Sequence, residues 1–242
     1  MKKYWWIVVL AAVIVLTVIL ISPQPTVMTA GDLTLNNTDF AYYYWSEFFY
    51  FQEAYGEYLT GTVDFSQPLD RQPYDDTMTW QDHLTAETIE VAADTLSMVI
   101  AAQKAGFGMP DEYELSLAET WSGFVDQSGG DVSAYLRNSY GRHADQESFY
   151  TYLDHCHLAA AYAEHLYLAL DPTAAEVDKY LKNHMGEYLD AGITDPTEQA
   201  IQAREDLILE LHGEQMRQIR AEANVQINPR AIRIRAPKGL YD

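Results

Sequence analysis

Eighteen consecutive residues near the start of the chain, 4–21 (YWWIVVLAAVIVLTVILI), carry one clearly polar side chain, Thr17. A helix of that length nearly crosses the hydrocarbon core of a bilayer, and Trp5 and Trp6 suit the interface beside Lys2 and Lys3. A cleaved signal peptide has a shorter apolar core and small residues before the cut. Here the best nearby cut, after Met28-Thr29-Ala30, sets a methionine where a small residue is wanted. Residues 1–22 are therefore expected to be an uncleaved signal anchor, a single transmembrane helix whose partner is the lipid bilayer. The two lysines stay cytoplasmic by the positive-inside bias, which puts the body on the extracytoplasmic face of the cell membrane. Residues 23–30 follow as a short stalk, with Pro23 and Pro25 discouraging continuation of the membrane helix.

The exported body is strongly acidic. The whole chain carries 15 Lys and Arg against 36 Asp and Glu, a formal charge of −21. Most of the excess falls in residues 31–199, with 30 acids and 6 bases, whereas residues 200–242 hold 6 acids and 7 bases. Such a surface cannot neutralise a phosphate backbone, so nucleic acid is excluded as a partner. The single cysteine, Cys156, excludes an internal disulfide, a cysteine-based zinc site and an iron–sulfur cluster within one chain.

Helical periodicity dominates residues 31–235. After a brief alternation at Leu33-Thr34-Leu35, a helix over about 39–59 carries Phe40, Tyr44, Phe48, Phe51, Tyr55 and Tyr58 as a core stripe. Residues 60–78 mix Gly, Pro and Asp and read as an ordered loop. Further helices are expected over about 79–105, 110–127, 131–140, 144–170, 174–188 and 197–223, punctuated by Gly106, Gly129-Gly130 and Pro172. Residues 225–234 alternate again and are expected to return as a strand beside Leu33-Leu35, leaving 236–242 as a tail.

The order of these segments carries a resemblance. LTLNNTDFAYYYWSEFFYF, PLDRQPYDDTMTWQDHL, AAQKAGFGMPDEYE and DVSAYLRNSYGRHADQESFYTYL occur in sequence, and QIRAEANVQINPRAI returns near the end. Together they resemble the N-terminal chaperone region of the SurA/PrsA foldase family over about residues 31–188, and more weakly in the last helix and strand. The resemblance implies a mainly α, SurA/trigger-factor-like multi-helix peptide-binding domain over 31–235, with a short terminal β-pair, preceded by the transmembrane helix. It implies unfolded or nascent exported polypeptides as partners. Many family members carry a parvulin isomerase domain before the last helix, but here only LDAGITDP stands there, far short of the hundred or so residues such a domain needs. The expectation is a binding module with no enzymatic activity and no cofactor.

Two residue groups are candidates for chemistry. Tyr43, Trp45, Phe49 and Tyr50 lie off the core stripe of the first helix and form the candidate peptide-binding group, since Tyr and Trp offer large contact area with a polar tip. The alternative is that a central helix buries them. On the helix near residue 157, Asp154, His157, Glu164 and His165 share about one third of the circumference with Ala161, the arrangement a divalent metal would need. The alternative there is a solvent face, because Phe149, Tyr152, Cys156, Ala159, Ala160, Ala163, Tyr167 and Leu170 form the opposite, core stripe. No Gly-rich phosphate loop, Gly-x-Ser-x-Gly elbow or His-Glu-x-x-His motif occurs. A structural adaptor for one membrane-associated complex is the main rival function, and a metal-dependent enzyme or residual prolyl isomerase the second.

Overall fold

The structure, a computed structural model, describes residues 24–59 and 61–241. The expected membrane anchor over 1–22 lies outside the described residues. Among the described residues no helix is long and apolar enough to cross a membrane. The fold is mainly helical, with seven α-helices among the described residues and one small sheet.

Strand β1 (Thr26–Ala30) turns through Gly31 and Asp32 into β2 (Leu33–Asn36), pairing Ala30 with Leu33 and Met28 with Leu35. Gly31 holds φ at +53°, the positive value a two-residue hairpin requires. Residues 26–30 were expected in the stalk. They form the central strand instead, because Val27, Met28 and Ala30 are buried apolar side chains and the backbone is paired on both edges. The returning strand β3 (Gln226–Ile227) accordingly pairs with β1 rather than with Leu33-Leu35, setting Met28 opposite Ile227 in the order β2-β1-β3. The alternation over 225–234 yields only this short strand before a 3₁₀ turn at Pro229–Ala231. Beyond it the tail is docked: the Lys238 amide donates to the Asn138 carbonyl at 3.0 Å, and Leu240 packs on the core.

Helix α1 (Asn37–Tyr55) starts on a capping box in which Asn36 and Asp39 satisfy each other's end amides. The loop over 61–78 is pinned by Gln72, whose side chain exchanges two 2.7 Å hydrogen bonds with the Asp64 backbone. Helix α2 (Trp80–Ala105) opens on a second capping box, Thr79 with Asp82, and ends at left-handed Gly106. It is the central helix, packing against α1, α5 and α7. Its buried Thr88 and Ser97 hydroxyls are satisfied by the carbonyls of Leu84 and Ala93.

Helices α3 (Asp111–Gln127), α4 (Val132–Tyr140) and α5 (Gln146–Leu168) gather a second cluster around Tyr42, Leu117, Val132, Leu136 and Phe149. The side chains of Asp131 and Asp145 cap α4 and α5. Helix α6 (Ala174–Asp190) and helix α7 (Pro196–Ala223) form a hairpin across residues 191–195, closed by Val177, Tyr188 and Ala203. The later part of α7 returns to α2, where Arg220 meets Glu90 at 3.3 Å and Asp94 at 3.2 Å.

Candidate functional site

The first half of α1 is enclosed on every side. Four successive aromatic residues, Tyr42 to Trp45, are all buried, so this part of the helix is packed on more than one face. Tyr42 enters the second cluster, edge-on to Phe149 at 5.1 Å, and donates or accepts a 2.9 Å hydrogen bond with Ser148. Tyr43 meets Tyr152 edge-on at 4.7 Å beside Cys156. Trp45 stacks edge-on to Tyr44, and its indole donates to the Arg235 carbonyl at 3.2 Å. Of the four candidate peptide-binding residues, Tyr43 and Trp45 are thus covered, each 2% exposed.

The second half of α1 emerges from the core. Phe48 and Phe51 still face inward, toward Phe65 and Trp80. Phe49 is 47% and Tyr50 61% exposed, so the other half of the candidate group is open to solvent. Two further residues join them that the sequence pattern assigned to the core stripe: Tyr55 at 46% and Tyr58 at 85% exposure. The helix closes at Tyr55, where the Tyr58 and Leu59 amides turn back onto the Tyr55 carbonyl, so Tyr58 leaves the helical register. The resulting end of α1 presents exposed aromatic side chains around an otherwise polar stretch that includes Glu53 and Glu57.

The histidine-bearing helix α5 corrects a second expectation. Its polar stripe is only in part a solvent face: Glu164 and His165 are exposed, while α3 reaches Glu164 through Tyr113 and His157 through Ser116. Ala161, in the middle of the polar set, is buried, and Ala160, assigned to the core stripe, is exposed. Tyr113 on α3 donates to Glu164 at 2.7 Å, and that acceptor raises the tyrosine hydroxyl's pKa. His157 donates from Nδ1 to the Leu153 carbonyl at 2.8 Å, leaving Nε2 3.5 Å from the Ser116 hydroxyl. His165 lies against the Phe107 ring. Three of the four candidate ligands, His157, Glu164 and His165, are drawn to separate neighbours, and among the described residues no three His, Cys, Asp or Glu gather as a metal set.

Cys156 is half-buried on the main core, and burial pushes its thiol up to about 12. Such a thiol is not a nucleophile at neutral pH. A cavity of about 340 Å³ opens between β2, α1 and α5, lined by Asn36, Asp39, Tyr43, Asp145, Glu147 and His155. Burial raises the Asp39 carboxyl, the Asn36 amide lowers it, and Asp145 raises it further. Burial lowers His155 against the opposing pull of Asp154. Both Asp39 and Asp145 already cap their own helices, with acceptor distances of 2.9 Å and 2.8 Å. Their placement follows from helix initiation, which needs no ligand. Comparison of the chain with protein-family models, with curated proteins and with solved structures finds no match.

Proposed function

We propose that the chain is a membrane-tethered, extracytoplasmic chaperone-like module that binds unfolded or extended polypeptide segments without catalysis, a SurA/PrsA-type domain lacking its isomerase. The observation that carries the reading is the emergence of α1 from the core with Phe49, Tyr50, Tyr55 and Tyr58 exposed. Folded chains bury large aromatics when they can, and a group of them left open marks a contact surface. Rings at a projecting helix end accept varied apolar segments with little side-chain entropy loss, while the acidic body keeps the tethered protein from associating with itself. Residues 191–195 between α6 and α7 leave no room for an inserted catalytic domain, and the proposed activity needs no cofactor.

The burial of Tyr43 and Trp45 halves the expected patch, and that favours the adaptor reading as the alternative: one dedicated partner seated on a smaller surface. The test is aggregation of a chemically unfolded reporter protein, followed by light scattering with the full chain in detergent micelles. Suppression is expected, reduced by the F49S/Y50S/Y58S variant at unchanged melting temperature. No suppression by the parent chain refutes the reading.

A further inference from the structure

The described body is acidic nearly everywhere except along one seam. Segments 132–143 and 225–241 contain no Asp or Glu and hold Arg137, Arg142, Arg230, Arg233, Arg235 and Lys238, six of the fifteen Lys and Arg residues in a chain of charge −21. The fold brings these two distant segments together. The Lys238 amide donates to the Asn138 carbonyl, the Asn37 side chain donates to the Arg233 carbonyl at 2.8 Å and accepts from the Arg233 amide, and the Trp45 indole holds the Arg235 carbonyl. The tail is thereby strapped across the start of α1, with Arg233 and Arg235 exposed. Between the strap and the end of α4 lies a cleft of about 260 Å³ lined by Arg142, His143, Arg233 and Arg235 together with Gln24 and Pro25. The carboxylates Asp39 and Asp145 line the other cleft, on the β2 side of the same helix end.

Gln24 and Pro25 fix where this seam stands. They follow the apolar run by three and four residues, so Gln24 cannot lie more than about 11 Å of extended chain beyond its end. That distance is comparable to the headgroup layer plus one Debye length at physiological salt. We infer that the seam formed by residues 137–143 and 230–238 is a second membrane contact that seats on anionic lipid headgroups and orients the body on its tether. The inference rests on the reading of residues 1–22 as a membrane anchor. An anionic leaflet attracts the seam and repels the rest of the body, so the same charge separation that binds also turns the acidic surface and the exposed aromatic rings away from a random tumbling average. A free inorganic phosphate, which lacks the multivalent surface, does not substitute for the lipid.

The experiment uses the full chain in nanodiscs of phosphatidylcholine, or of three parts phosphatidylcholine to one part phosphatidylglycerol, with amide hydrogen exchange read at residues 137–143 and 230–238. Exchange there is expected to slow about fivefold or more in the anionic discs, the effect of one well-placed cation at such a surface. The slowing disappears in high salt and in the R142Q/R233Q/R235Q variant. Equal exchange in the two lipids overturns the proposal while leaving the anchor intact. Equal slowing by inorganic phosphate in neutral discs also overturns it, making the cleft a free-anion site. Extraction of the chain from both discs by alkaline carbonate shows that the anchor reading itself fails, and the proposal falls with it.

Discussion

Phe48 and Tyr50 stand two residues apart on α1, and replacing each by alanine is expected to give opposite results. Phe48 is fully buried, with ring centroids of Trp45, Phe49 and Phe65 at 5.1, 5.2 and 5.7 Å. Phe48→Ala removes that buried ring and leaves a cavity that the surrounding rings cannot fill by small shifts, a loss of about 4 kcal/mol. For a body of this size the melting temperature falls by about 2–4 °C per kcal/mol, so a drop on the order of 10 °C is expected. Because Phe65 belongs to the loop over 61–78, the loss also loosens the loop's hold on α1. Tyr50, at 61% exposure, touches solvent over most of its ring, and Tyr50→Ala is expected to change stability by no more than about 0.5 kcal/mol. Thermal unfolding by circular dichroism on the full chain in micelles measures both. A Phe48→Ala cost below about 1 kcal/mol, or a Tyr50→Ala cost above about 2 kcal/mol, contradicts the emergence of α1 between these two positions.

Three further outcomes follow from the local chemistry. Thr79→Ala removes the oxygen that accepts from the Asp82 amide at 3.2 Å, and unfolding measurements are expected to show a loss of about 1 kcal/mol; no change would mean that α2 does not depend on its cap. Asp39 is an acid raised chiefly by burial, so the folded chain holds its proton more tightly than the unfolded chain does. Its stabilising contribution is therefore complete at low pH and is lost as pH rises through the raised value, and Asp39→Asn, which keeps an oxygen for the Asn36 amide, is expected to gain on the parent chain as pH rises above the ordinary carboxylate range. Parallel stability profiles of the two proteins would rule this out. Cys156, with a thiol pushed up to about 12, is expected to react with a maleimide at pH 8 far more slowly in the folded chain than in denaturant, whereas equal rates would show an open thiol.

The helices were legible because their ends are written in local chemistry. Gly106 ends α2 in the left-handed conformation and Gly129-Gly130 and Pro172 fall between helices, as expected, whereas the caps at Thr79, Thr173 and Asp195 show their bonds only in the structure. Strand β1 was missed because TVMTA follows two prolines and an apolar run, and its pairing on one edge is with β3, about two hundred residues away and beyond any local window. Helical periodicity also failed wherever a helix has more than one packed face. In α1 the Tyr42 to Trp45 run is buried all round, which made Tyr43 and Trp45 look surplus. In α5 Ala161 is buried on the polar side, the side on which α3 bonds to Glu164. Tyr58 escaped for the opposite reason: the spacing continues past the point where the helix stops. The basic seam needed tertiary structure, since its halves lie about ninety residues apart in sequence.

The most direct test of the central claim is photo-crosslinking in living cells from a photoreactive phenylalanine placed at position 50 or 58, with positions 150 and 167, both exposed aromatics on α5, as controls. The account expects adducts with many different exported polypeptides from 50 and 58 and few from 150 and 167. A single stoichiometric adduct at 50 and 58, or equal capture at all four positions, would contradict a general binding surface at the end of α1.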